Sequence, residues 1–127
     1  MIKLIYKYVL GSVLFSLIFA GLPFYFAQES SAQVFEAVKA GNFAPGQLEA
    51  HFLKHGYQFG QITQEQYLQG AQALLDAEAE GDILEKIRQN GDIEHFRVST
   101  GEFAVMTKRG RIRTYFKTDY EYWMRQQ

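Results

Sequence analysis

Three rhythms of apolar and polar positions run along this chain, and each predicts a different kind of element. The first has no polar face: residues 8–27 pass without one charged side chain, and Lys3 and Lys7 precede them. A helix at the surface of a small domain does not need apolar surface all round. A basic start followed by such a run is the layout of a secretory signal peptide, or of an uncleaved transmembrane anchor of the same make, since about 20 residues suffice to span a bilayer. Gly21 and Pro23 sit near the end of the run, and Ser30, Ser31 and Ala32 place small side chains where a signal peptidase reads, so the preferred cut falls before Gln33. Either way Lys3 and Lys7 hold the N-terminus in the cytoplasm. The chain therefore divides into residues 1–32, signal or anchor, and residues 33–127, a single small domain that is secreted, periplasmic, or held in the cell envelope by residues 8–27.

The second rhythm is helical. Residues 34–40 predict a short helix, and residues 45–55 a longer one, with Pro45 at its first position and Gly56 closing it. Thr63 and Gln66 have the spacing of a capping box, after which Tyr67, Ala71, Leu74 and Leu75 recur on one face of a helix running toward Gly81. Residues 83–89 extend it by a turn or two before Asn90-Gly91 stops it. From Ile93 the period drops to two. Residues 93–99, 102–108 and 111–117 alternate, separated by Thr100-Gly101 and Arg109-Gly110, which predicts an antiparallel meander. Residues 119–127, with Tyr120, Tyr122 and Trp123, form a final strand or an aromatic tail packed on the sheet. Helices followed by strands give an α+β domain, N-terminal helices on a small antiparallel sheet of three or four strands.

Composition removes some chemistry. The chain has no cysteine, so disulfides, thiol catalysis and zinc–thiolate sites are excluded and the aromatic side chains must supply the core. Of 13 Lys and Arg and 14 Asp and Glu, Lys3, Lys7 and Glu29 precede Gln33, which leaves 11 against 13 and a net charge of −2 on the domain. That total is no nucleic-acid signature, but its distribution is uneven. Acids crowd between Asp76 and Glu94, whereas Lys108, Arg109, Arg111, Arg113 and Lys117 follow one another with no acid between them.

Two constellations carry possible chemistry. In His51-Phe52-Leu53-Lys54-His55 the imidazoles are four apart and share a helix face, away from Leu48 and Phe52. Imidazole moves protons near neutral pH, so a His pair beside Lys54 suits general acid–base work on a phosphodiester. The same residues in a last helical turn also answer the helix dipole. A metal is not expected: Phe52 stands where a zinc-protease helix carries its glutamate, and His95 is not grouped with carboxylates. No cofactor is implied either. The second constellation lies in residues 111–117, where Arg111, Arg113, Tyr115 and Lys117 alternate with Ile112, Thr114 and Phe116. A row of cations with an aromatic fits phosphates and a stacked base. His95 and Arg97 alternate with Phe96 and Val98 in the same way, and an ordinary solvated sheet face would look alike.

The segments His51 to Gly56, Phe59-Gly60, Tyr67 with Ala71, Phe103-Ala104-Val105 and Gly110 to Lys117 together resemble the barnase/EndoU/colicin/RelE-like (BECR) ribonuclease toxin domains of bacterial polymorphic toxins and phage proteins. The resemblance covers most of residues 48–123. It implies a helix-plus-sheet nuclease that cleaves RNA, tRNA among the candidates, without a metal, through attack of the ribose 2′-hydroxyl and a 2′,3′-cyclic phosphate. It also implies a cognate immunity or inhibitor protein as partner. Carried over by position, His55 is the leading general base or acid, His51 its partner or a substrate contact, and Lys54 an electrostatic stabiliser. Arg113 holds the phosphate and Thr114 hydrogen-bonds it, with Arg111, Tyr115, Lys117, His95 and Arg97 as substrate contacts. Strict alternation places Thr114 on the side of Ile112 and Phe116, so the site opens on that face, the strand is bulged, or Thr114 is core. The alternative is a non-catalytic membrane-anchored or periplasmic binding protein on the same fold.

Overall fold

A computed structural model describes residues 38–126. The expected signal or anchor, residues 1–32, and the first part of the helix expected over residues 34–40 lie outside them; residues 38–40 are not helical. Helix α1, Gln47–His55, follows a turn at Pro45 and Gly46, whose φ of 80° needs glycine, so the helix begins two residues later than Pro45 suggests. Gly56 does not end the helical path. Its right-handed backbone leads into a 3-10 turn, Gly56–Phe59, and the chain reverses at Gly60, φ 85°. Helix α2, Gln64–Asp76, opens on the expected capping box: Thr63 accepts from the Gln66 amide, and Gln66 accepts from the Thr63 amide.

The helix expected to run on to Gly81, and the further turns over residues 83–89, are corrected. Helix α2 stops at Asp76, and Ile83–Ile87 is the first strand, β1. It pairs with β2, Ile93–Arg97, and the meander continues through β3, Glu102–Met106, and β4, Ile112–Lys117, as a four-stranded antiparallel sheet in chain order. The domain is α+β, as its rhythm predicts. Of the two expectations for the segment that begins at Asp119, the aromatic tail packed on the sheet holds and the strand does not: Tyr122 and Trp123 pack with Phe96, Phe103 and Val105, and the segment is helical. Asp119 accepts from the Tyr122 amide and starts a short helix, α3, Tyr120–Arg125.

Both faces of the sheet are covered. On one, α1 and α2 bury Tyr67, Ala71, Leu74 and Leu75 against Ala104, Met106, Ile112 and Tyr115. On the other, Trp123 of α3 is 3% exposed against Phe96, Phe103 and Val105. Burying each such side chain contributes about 1.5–3 kcal/mol relative to exposure, which is how a domain without disulfides holds together. Lys86 fastens α3. Its ammonium lies 4.6 Å from the Trp123 ring centre and donates to the carbonyls of Trp123 and Gln126, at the negative end of the helix.

A bulge in β4 breaks the alternation. Thr114 pairs with Val105 and Ile112 with Met106, leaving Arg113 as the extra residue. The expectation that Ile112, Thr114 and Phe116 share one face is therefore corrected. Ile112 and Tyr115, three apart, both enter the helix-side core, and Phe116 packs on the α3 side. Strand β4 is the sheet edge, yet its outer side is not bare. The Ile112 amide donates to the Asn42 carbonyl at 2.9 Å, the Tyr67 hydroxyl to the Tyr115 carbonyl, and the Gln58 amide pairs with both backbone groups of Lys117 at 3.0 and 3.1 Å. Three different elements thus close the edge that would otherwise recruit another strand.

Candidate functional site

The histidine pair forms where α1 runs beside β4. Leu48 and Phe52 pack onto the core and orient the helix, and the imidazoles project on a neighbouring face with ring centres 6.0 Å apart. Each leans on an aromatic ring. His51 lies 5.2 Å from Phe43, and His55 stacks on Phe116 at 5.0 Å. Phe43 bridges to Ile112, so the two imidazoles stand beside opposite ends of β4, with Arg113 and Thr114 between those ends in the chain.

Partial burial lowers the pKa of His51 below the ordinary 6.5, and the Lys54 charge lowers it further. The same two causes, with a smaller contribution from His51, lower that of His55. Both rings are thereby held toward the neutral form, which can accept a proton. Nδ1 of His51 is buried without a hydrogen-bond partner.

The other expected site residues divide. Lys54 is exposed beside the pair, and Thr114 is half-buried on β4. Arg113 turns to the carboxylate of Asp92, 2.6 Å away; its side chain is 53% exposed and that of Asp92 5%. Arg111 is exposed and lines the same cleft as Arg113. Lys117 lies with its ammonium 5.4 Å from the Phe59 ring centre.

Two substrate contacts expected on an open sheet face, His95 and Tyr115, are corrected, because helices cover that face, while Arg97 beside them is half-buried. His95 is 3% exposed, with Nδ1 2.8 Å from the Leu74 carbonyl and Nε2 2.9 Å from Glu85. Both partners are acceptors, so this ring is a structural tie between α2, β1 and β2. Arg97 faces Glu102 across the ladder. Tyr115 is buried, stacked on Phe59 at 4.6 Å, with its hydroxyl donated to Glu102; burial, that hydrogen bond and the Glu102 charge push its pKa up.

Phe43 and Gln58 were not among the expected site residues, although one seats His51 and the other secures β4 next to the residue that seats His55. Neither lies in a periodic segment, so no sequence signal marks them. Among the described residues no group of three or more His, Cys, Asp or Glu is placed to hold a metal, and no helix is long and apolar enough to cross a membrane. No protein-family model matches the chain, and no curated protein matches it.

Proposed function

We propose that the domain is a BECR-type ribonuclease toxin or effector that cleaves RNA without a metal, working outside the cytoplasm or from the cell envelope. The observation that carries this reading is the His51–His55 pair, two imidazoles with lowered pKa set 6.0 Å apart against Phe43 and Phe116. That separation is too long for a hydrogen bond between them, so neither ring is committed to the other. His55 takes the proton of a ribose 2′-hydroxyl as its oxygen bonds to phosphorus. His51, when protonated, gives a proton to the departing 5′-oxygen as the P–O5′ bond breaks, and a 2′,3′-cyclic phosphate remains. Lys54 and Thr114 support the charge that builds on the phosphoryl oxygens. Helices preceding an antiparallel sheet agree with this class, and the apolar run of residues 8–27 supports export or anchoring.

The test is incubation of the purified chain with tRNA and total RNA in EDTA. Cleavage leaving 2′,3′-cyclic phosphate ends is expected, and His55→Ala lowers it by about 10²–10⁴-fold, the usual share of a general acid or base. RNA left intact, or cut equally well by His51→Ala and His55→Ala variants, overturns the reading. The Asp92–Arg113 ion pair favours a second one, a non-catalytic envelope binding protein, because it withdraws the guanidinium expected on the phosphate. Its mark is a partner retained by the chain at low salt, released at high salt, and indifferent to both His substitutions.

A further inference from the structure

A cleft of about 630 Å³ opens where the turn between β3 and β4 meets residues 41–43 and the turn before β2. Four cationic side chains line it: Lys108, Arg109, Arg111 and Arg113. Asp92 is its one carboxylate and is committed to Arg113, whereas Lys108, Arg109 and Arg111 are exposed and make no salt bridge among the described residues. A domain of slightly negative net charge thus concentrates a local excess of positive charge in one concavity, where field lines focus.

The cations stand on a fixed frame. The Thr107 hydroxyl accepts from the amides of Arg109 and Arg111 at 3.2 and 3.1 Å, and the Thr107 carbonyl accepts from Gly110 at 2.8 Å. Gly110 has φ 93°, and a Cβ there would meet the Lys39 carbonyl oxygen at 2.3 Å, so the turn lies directly on the preceding segment. The Gly41 amide donates to the Gly110 carbonyl at 2.7 Å and closes the contact. Phe43 lines this cleft and also contacts the His51 ring.

We infer that this cleft binds the phosphodiester backbone of an RNA strand at phosphates neighbouring the one presented to the histidines, so that the substrate is a polynucleotide. The identity of the anion as RNA rests on the ribonuclease reading; its binding is measurable apart from cleavage. The probe is a fluorescein-labelled single-stranded oligoribonucleotide with 2′-O-methyl groups, which cannot form the cyclic phosphate. Its anisotropy is titrated with the full chain over a salt series. Each phosphate neutralised contributes about −0.7 to the slope of log affinity against log salt on a single strand. The double variant Lys108→Ala/Arg109→Ala is expected to lose about 1.4 of that slope and at least tenfold in affinity at low salt. Asp92→Asn, which removes the competing carboxylate, tightens binding, and Arg125→Ala on α3 leaves it unchanged.

Equal affinity and slope for wild type and the double variant, with matching thermal unfolding, overturn the inference, as does failure of the wild type to bind. If Asp92→Asn does not fold, the double variant decides alone, since both of its positions are exposed. Salt-dependent binding that needs Lys108 and Arg109, in a chain that cuts no RNA, sinks the ribonuclease reading and keeps the cleft. Cleavage of RNA with binding indifferent to both substitutions does the reverse.

Discussion

Replacing Tyr67 by Phe tests how the edge of the sheet is closed. The ring is 0% exposed and packs among Phe43, Phe52, Phe59 and Tyr115, and Phe keeps all of those contacts. Only the hydroxyl is lost, and with it the donor to the Tyr115 carbonyl on β4. Leaving a buried acceptor unsatisfied costs about 1–3 kcal/mol, and relief from burying the phenol oxygen offsets a part, so a loss of about 1–2 kcal/mol is expected. For a domain of this size that corresponds to a fall in Tm of roughly 4–16 °C. Urea denaturation followed by far-UV circular dichroism measures it, with the slope in urea unchanged because the fold is unchanged. A second signature is alkaline. Burial pushes the Tyr67 pKa above the ordinary 10.0, so the unfolded chain releases this proton first; the stability is full below about pH 10 and is lost as pH rises further. Tyr67→Phe removes that residue's share of the alkaline loss. A stability change below about 0.5 kcal/mol would refute the account of a carbonyl that depends on this hydroxyl, and an alkaline limb as steep as in the wild type would count against the burial of the phenol.

Two further outcomes follow from the charged groups. The folded pKa values of His51 and His55 lie below their unfolded value near 6.5, so the stability they contribute is complete above that pH and is lost as pH falls through the lowered values. The difference in unfolding free energy between wild type and a His51→Gln/His55→Gln chain, measured from pH 8 to 5, is expected to shrink steadily on the acid side, and a pH-independent difference counts against their partial burial. Glu94 is fully buried and its carboxylate is paired with Arg88, so Arg88→Met strands a buried charge and is expected to cost about 3–5 kcal/mol. Adding Glu94→Leu restores most of the loss in urea denaturation; no recovery in the double variant would show that the pair is not the source.

Where patterning has one solution, the sequence was legible. Thr63 and Gln66 announce a capping box, and Tyr67, Ala71, Leu74 and Leu75 lie on one face because no strand presents those spacings together. The turns at Thr100-Gly101 and Arg109-Gly110 separate the last three strands, and Gly101 and Gly110 take positive φ there. The four-residue spacing of His51 and His55 brings their rings side by side on a helix, whatever the helix packs against.

Tertiary structure decided the rest, for an identifiable reason. Ile83-Leu84-Glu85-Lys86-Ile87 suits a helix turn or a short strand equally, and only pairing with β2, the Glu85–His95 contact and the Lys86 cap on α3 select the strand. Helices on both faces of the sheet turned His95 and Tyr115 from open surface into interior, since alternation reports two faces but not what covers each. The bulge at Arg113 depends on how β3 and β4 close their ladder, and it sends one side chain to Asp92 while bringing Tyr115 onto the face of Ile112 and leaving Phe116 on the other. Periodicity arises from each element's own geometry and so is written locally. Which groups meet across elements depends on contacts between residues far apart in the chain, and those exist only once the chain has folded.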